Sequence, residues 1–270
     1  MVERNYIGVT GAATIDEIDH LSYSFNKFSR IYHLGIYHKP MIGILASTKT
    51  LLGEQTQNRR YPKVEEIPLL FRQVNYGFKV VHFNSREPST LSKQLISLFK
   101  TGDLYNENLS RAVQLNNAWP PLDQIIETQK QLPDLKVVLQ LNSQAMGKRS
   151  SGEIAQKVAG YGDMIHHVLI DPSGGRGKEL EVGKVVPVYE AIKHRRPDLF
   201  LGFAGKLSGE NVWSKCHELV SRIGHYKFSI DAESGVRDKL SEDYGNDLYS
   251  RDKVERYLEQ AARFFSPDLR

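Results

Sequence analysis

The sequence predicts a single-domain α/β protein with the (β/α)8, or TIM-barrel, architecture. Eight short apolar or β-branched segments bounded by turn residues have the composition of buried parallel strands. Amphipathic segments of helix length lie between most of them, and successive strands begin about 25 to 37 residues apart. Eight such units fit a barrel of 270 residues, whereas a doubly wound open sheet more often stops at about five to seven strands.

The elements follow one another in a regular order. The predicted strands are 6–10, 41–47, 78–85, 111–116, 136–143, 164–171, 199–205 and 227–231. The predicted helices are 89–100, 121–131, 151–160, 183–194, 209–223 and 250–264. Two segments make their strand–helix units longer than the others. The aromatic segment 19–40 is expected to extend the connection between the first and second strands, and the acidic segment 238–249 lies between the eighth strand and the last helix. Both are candidate lids or subunit contacts. No linker rich in Gly, Pro or Ser divides the chain, so residues 1–270 are expected to form one domain.

Composition narrows the classes of function. Hydrophobic residues make up 40% of the chain and charged residues 25%, as in globular proteins. The 36 basic and 32 acidic residues are interspersed, which argues against a nucleic-acid partner and fits a small anionic ligand. No apolar run approaches the roughly 20 residues of a membrane helix and no signal peptide opens the chain, so we expect a cytoplasmic protein without a membrane partner. The single cysteine, Cys216, excludes an internal disulfide and a cysteine-based zinc cluster. A homodimer remains an open alternative.

Polar residues stand at the ends of the predicted strands, where a barrel carries its active site. Three consecutive strands end with two polar residues at alternate positions, and strands six and eight end with aspartate. These residues are His82 and Asn84, Gln114 and Asn116, Gln140 and Asn142, Asp171, and Asp231. Since side chains alternate along a strand, Phe83, Leu115 and Leu141 should face the helices. We therefore expect a mouth rich in hydrogen-bonding groups that suits a ligand with many hydroxyls, such as a sugar. The alternative is that these side chains only satisfy loop backbone.

The loops after strands six, seven and eight are rich in glycine. They have the sequences DPSGGRG (171–177), AGKLSGENV (204–212) and DAESGVR (231–237). Barrels commonly bind phosphate in this region, because glycine lets backbone N–H groups approach an anion closely. Three such loops together predict a phosphate site, and ordinary βα turns are the alternative.

These motifs resemble those of the phosphoribosylanthranilate isomerase family, the barrel enzymes of tryptophan synthesis. The family has an Asp-ended strand with a Gly-Gly-x-Gly loop, then Gly-Gly-Leu-x-x-Glu-Asn-Val, then Asp-Val-Ser-Ser-Gly-Val. The opening YIGVT (6–10), RRYPKVEEI (59–67) and AVQLN (112–116) resemble further family segments in the right order. The similarity touches nearly the whole chain, and its specific part is the last three loops.

The resemblance implies roles for individual residues. Asp171 would be the general acid of an Amadori-type isomerisation, protonating the ribose ring oxygen so that the furanose opens to a Schiff base. Arg60 would hold the substrate carboxylate. The phosphate would lie on the backbone of Gly175, Gly177, Gly205, Ser234 and Gly235. We add Lys206, which stands where the family has its second strand-seven glycine, to the phosphate site.

The sequence also departs from the family pattern. Ile7 occupies the place of the family's catalytic cysteine, Asn116 that of a histidine, and Glu233 that of a serine. His82 is the replacement base that we predict, alongside a structural role as the alternative. His166 and His167 face opposite ways along a strand, so we expect no metal site, and we expect no cofactor.

Three functions follow from the sequence. The first is a divergent sugar-phosphate isomerase that binds a phosphorylated sugar-type ligand. The second is a non-catalytic protein that binds a phosphorylated metabolite. The third is a lyase or aldolase that acts on another phosphorylated substrate. Because the family's base is missing, the sequence is compatible both with an enzyme and with a binding protein.

Overall fold

The computed structural model describes residues 4–54, 58–173, 177–241, 243 and 245–269. Eight parallel strands form a closed barrel in chain order, and β8 closes on β1. The strands are β1 (Asn5–Thr10), β2 (His38–Ser47), β3 (Phe78–Asn84), β4 (Ala112–Leu115), β5 (Lys136–Leu141), β6 (His167–Ile170), β7 (Phe200–Ala204) and β8 (Ser229–Ala232). A two-stranded antiparallel hairpin follows, formed by β9 (Arg237–Lys239) and β10 (Asp247–Tyr249). The predicted (β/α)8 barrel is confirmed.

Ten α-helices alternate with the strands in the described residues. They are α1 (Ile15–Ile31), α2 (Thr48–Leu51), α3 (Glu66–Arg72), α4 (Leu91–Lys100), α5 (Leu122–Gln131), α6 (Ser143–Met146), α7 (Ser151–Ala159), α8 (Val182–Arg195), α9 (Val212–Ile223) and α10 (Arg251–Phe265). The helices cover the outside of the barrel, so each strand is buried on both faces. No described helix is long and apolar enough to cross a membrane.

Side chains point alternately to the two faces of each strand and so form two separate hydrophobic cores. One set of side chains fills the barrel interior, among them Tyr6, Val80 and Leu169. The larger core lies between barrel and helices, and it contains Phe83, Leu115 and Leu141. The strand register is therefore the one that their sequence parity predicts, and a one-residue slip would have exchanged the two faces.

The two longer segments have regular structure. Most of the segment 19–40 belongs to α1, whose buried Ile18, Leu21, Phe25 and Phe28 follow helical spacing. The rest is a short turn and the first residues of β2. The segment is thus the ordinary helix of the first βα unit and not a long loop. The acidic segment 238–249 contains most of the β9–β10 hairpin, which lies between β8 and α10.

Candidate active site at the barrel mouth

A cavity opens at the C-terminal ends of the barrel strands. Its volume is about 10 Å³, enough for one water molecule, and it opens to solvent on one side. The residues around it are His82, Gln114, Gln140, Leu169, Asp171, Ser173, Ala204, Gly205, Lys206, Asp231, Glu233 and Ser234. They come from β3 to β8 and from the loops that follow β6, β7 and β8. Polar groups therefore dominate the part of the barrel where its chemistry is expected.

A ladder of hydrogen bonds crosses the inner wall of the cavity. Gln114 donates from Nε2 to Oε1 of Gln140 over 3.2 Å, and Gln140 donates from Nε2 to Oδ2 of Asp171 over 2.7 Å. The other carboxylate oxygen of Asp171 accepts from the backbone N and the hydroxyl of Ser173, at 3.0 and 2.6 Å. These side chains are all buried. The ladder fixes the orientation of the Asp171 carboxyl group at the cavity wall.

His82 and Asp171 have pKa values that move in opposite directions. His82 is 4% exposed, and neither ring nitrogen has a hydrogen-bond partner among the described residues. Burial lowers the pKa of His82 to about 4, although the charge of Asp171 and the nearby Gln140 amide act against this. Burial raises the pKa of Asp171, and its bonds with Ser173 only partly offset that effect. The cavity therefore combines a neutral imidazole with a carboxyl group that retains its proton to higher pH.

Asp231 is a second buried carboxyl group in the cavity. Thr10 donates its hydroxyl to Asp231, at 3.0 Å from Oδ2 and 3.2 Å from Oδ1. A side chain at Gly8 would come within 2.8 Å of Oδ1, so glycine there makes room for the carboxyl group. Burial raises the pKa of Asp231 well above its ordinary value, and the charges of Glu233 and Asp171 raise it further.

The structure places the three predicted asparagines outside the cavity. Asn84 is exposed, and Asn116 and Asn142 are half-buried and bonded to each other, with Nδ2 of Asn142 3.2 Å from Oδ1 of Asn116. Asn142 also caps α6, since its Oδ1 accepts from the backbone N of Ala145 over 2.9 Å. β4 ends at Leu115 and β5 at Leu141, each one residue before its asparagine, so strand alternation no longer directs the side chains of Asn116 and Asn142. Asn84 is the last residue of β3, and its side chain is exposed at the strand end.

Arg60 lies in a buried ion-pair network. Its guanidinium pairs with Glu233 and with both oxygens of Asp247 on β10, and only 2% of its surface is exposed. Arg237 also pairs with Asp247 and donates to the carbonyl of Gly11 over 3.0 Å. Arg60 therefore already serves two protein carboxylates, which is not the arrangement that the resemblance implied.

The network contains residues that the sequence did not identify as functional. Glu233 was visible as a carboxylate in the loop after β8, but its arginine partner lies far away in the chain. No sequence motif marks Asp247 as part of a site. Its partners Arg60 and Arg237 become neighbours only when the hairpin folds against the segment that contains Arg60.

The loops proposed for phosphate pack against one another. Gly177 lies beside Ser234, since a Cβ at Gly177 would be 3.6 Å from the Ser234 hydroxyl. The carbonyl of Gly205 accepts from the backbone N of Leu180 over 3.1 Å. A side chain at Gly235 would overlap the carbonyl of Leu207, so the loops after β7 and β8 touch at a glycine. Gly175 lies outside the described residues.

Lys206 stands at the rim of the cavity in an unusual backbone conformation. Its φ is +46°, in the left-handed region that side chains other than glycine rarely occupy. The side chain is exposed and has no ion-pair partner in the described ranges. Strained backbone of this kind clusters at functional sites.

Neither candidate position for a thiol faces the cavity. Ile7, which the resemblance aligns with the family's cysteine, belongs to the core between barrel and helices. Cys216 is fully buried on α9, and burial raises the pKa of its thiol. No group of three His, Cys, Asp or Glu side chains in the described part of the chain is arranged to hold a metal ion.

The described residues form a (β/α)8 barrel with a polar cavity at the C-terminal ends of its strands. No protein-family model matches the sequence, and no curated protein is similar to it. Among solved structures, active domain 2 of the Pyrococcus furiosus chitinase superposes with a TM-score of 0.58 at 15% identity, over 98% of this chain and 97% of that one.

Two other barrels are similar over most of this chain. Rubisco from Pyrococcus horikoshii gives a TM-score of 0.53 at 11% identity, over 96% of this chain and 58% of that one. Dihydrodipicolinate synthase from Thermotoga maritima gives 0.51 at 9% identity, over 87% and 72%. At these identities the comparisons establish the fold alone.

Proposed function

We propose that the protein is an isomerase that binds a phosphorylated sugar-type ligand in the barrel mouth and moves a proton within it. Asp171 is the general acid and His82 the general base of this proposal. The observation that carries it is the placement of these two groups in one cavity with opposite pKa shifts. The protein would then be a divergent relative of phosphoribosylanthranilate isomerase, with a histidine in place of the cysteine base.

The proposed ligand matches the groups that the cavity offers. The amides of Gln114 and Gln140 and the Ser173 hydroxyl can bind sugar hydroxyls. The packed loops after β6, β7 and β8 offer glycine backbone, and Lys206 adds a positive charge at the rim. We place the ligand's phosphate at these loops, because Arg60 is already paired with two carboxylates.

The proposed reaction opens the ring and then moves a proton from C2 to C1. Asp171 donates its proton to the ring oxygen as the bond between that oxygen and C1 breaks, and it takes back the proton of the C1 hydroxyl, which leaves an aldehyde at C1. The lone pair of neutral His82 then accepts the C2 proton while Asp171 protonates the carbonyl oxygen, which gives an enediol. Protonated His82 returns its proton to C1, and Asp171 takes the proton of the C2 hydroxyl, so the ketose forms and both groups are regenerated. The raised pKa of Asp171 favours the acid form, and the lowered pKa of His82 keeps the base neutral at pH 7. A side chain positioned as general acid or base typically accelerates a reaction by about 10²–10⁴-fold.

A deuterium-exchange experiment tests the proposal. Ribose phosphates are first screened by thermal shift, because a ligand that binds the native state raises the melting temperature. Ribose 5-phosphate is then incubated with protein in D2O, and loss of the C2 proton signal is followed by NMR. We expect Asp171→Asn and His82→Gln each to slow exchange at least about 100-fold. Asp163→Asn, at a fully exposed aspartate beside α7 and β6, is the control and should exchange at the rate of the unmodified protein. Exchange that persists in both site variants would contradict the assignment.

A binding protein without chemistry is the second candidate. It is favoured by the three hydrogen bonds that already occupy both oxygens of Asp171. In that case ribose 5-phosphate would raise the melting temperature, and no C2 deuterium would appear.

A further inference from the structure

Glu233 contacts both the ion-pair network and the cavity. Its Oε1 accepts from Nη1 of Arg60, and its side chain is 11% exposed. Among the described residues, Arg60 alone forms a hydrogen bond with this carboxylate. The carboxylate lines the cavity together with Gly205, Lys206 and Ser234, where the phosphate of the ligand is proposed. A bound anion would therefore lie beside a carboxylate, which is unfavourable while that carboxylate is ionised.

The described charges of the network balance only when Glu233 is ionised. Arg60 and Arg237 face the carboxylates of Asp247 and Glu233, giving two positive and two negative charges. A proton on Glu233 would remove one negative charge and leave the network positive at the cavity wall. Asp247 keeps Arg60 in place in both states, because it holds the guanidinium through two of its nitrogens.

We infer that Glu233 is the specificity-determining residue for anions in the mouth, and that an anion binds there together with one proton, which Glu233 takes up. The inference rests on the proposed function for the place of the anion. It assigns Arg60 and Asp247 the role of positioning residues, which hold Glu233 at the cavity wall without contacting the ligand.

The surroundings of Glu233 make this proton uptake feasible. Burial raises the pKa of Glu233, although the charges of Arg60 and Arg237 oppose the effect. The other charged or titratable groups that face Glu233 are Tyr61, Asp171, Asp231, Lys206 and Asp247. The carboxylates among them favour the protonated form of Glu233, and the cations favour the ionised form.

Sulfate is a suitable probe, because it remains a dianion across the pH range of the experiment. Sulfate binding to the full chain is measured by calorimetry between pH 5.5 and 8.5, in buffers of different ionisation enthalpy. We expect uptake of up to one proton per sulfate, and an affinity that falls by up to about tenfold per pH unit as pH rises. This measurement needs no variant. Binding without proton uptake would overturn the inference and leave the proposed function standing.

Variants identify the group that takes up the proton. Glu233→Gln should bind sulfate more tightly than the unmodified protein at pH 8 and lose the pH dependence. Glu210→Gln changes an exposed glutamate in the loop after β7 and should behave as the unmodified protein does. Asp171→Asn should retain the pH dependence. If Asp171→Asn abolishes it instead, Glu233 is the wrong group. If sulfate and ribose 5-phosphate bind to none of these proteins, both the inference and the proposed ligand class are wrong.

Discussion

The replacement of Asp247 by asparagine tests the buried ion-pair network. Asp247 is 4% exposed and pairs with Arg60 and Arg237, which are themselves 2% and 4% exposed. Asparagine has nearly the same shape but no charge, and its amide group would face a guanidinium that needs an acceptor. Asp247→Asn therefore leaves two buried arginines with one described carboxylate, Glu233.

The expected loss of stability is large. Breaking a buried ion pair by removing one partner typically costs about 3–5 kcal/mol, because a buried charge remains uncompensated. Burial raises the pKa of Asp247, but hydrogen bonds and charges from Arg60 and Arg237 outweigh it, so the pKa lies below its ordinary value. A lowered carboxyl pKa gives stability that is present above about pH 4 and is lost as pH falls through the folded-state pKa. The effect of the substitution should therefore be complete at pH 7.

Urea unfolding at pH 7 measures this effect. The control is Asp238→Asn on the same hairpin, because Asp238 forms an exposed ion pair with Lys253 at 2.8 Å. An exposed pair of this kind contributes about 0–1 kcal/mol. If Asp247→Asn unfolds within about 1 kcal/mol of Asp238→Asn, the network does not stabilise the mouth as described here.

Three further predictions concern the site. Burial keeps His82 neutral in the folded protein, so the free energy of unfolding should fall by about 3 kcal/mol between pH 6.5 and pH 4, at about 1.4 kcal/mol per pKa unit. The free energy of unfolding of His82→Gln, measured with urea, should change less over that pH range. Gly235→Ala should lower the free energy of unfolding by about 1–3 kcal/mol through its overlap with Leu207, whereas Gly183→Ala, at an open position in α8, should not lower it. Ile7→Cys should give a thiol that stays unreactive towards a thiol reagent in the folded protein and does not support growth of a tryptophan auxotroph, because position 7 faces the helices.

The barrel could be predicted from sequence because its pattern is repetitive. Each strand is a short apolar run, and the parity of His82, Gln114 and Gln140 against Phe83, Leu115 and Leu141 follows from strand geometry alone. The sequence pattern did not predict the first helix, because the many aromatic residues of 19–40 obscure the helical spacing that begins at Ile18.

The rest of the site depends on contacts between distant parts of the chain. The sequence around Asp247 does not distinguish it from the other acidic residues of its hairpin. The sequence is also compatible with a ligand-binding role for Arg60, because its partners Glu233 and Asp247 are distant in the chain. The orientation of the side chains at Asn116 and Asn142 depends on where β4 and β5 end, and sequence patterns locate strand ends only to within a few residues.

We propose that the mouth binds an anionic ligand at the loops after β6, β7 and β8. A crystal structure obtained in sulfate tests it most directly. We expect electron density for sulfate beside Gly177, Gly205, Ser234 and Gly235, within reach of the Lys206 ammonium group. An empty site, or one filled by the Glu233 carboxylate at high sulfate concentration and low pH, would contradict it.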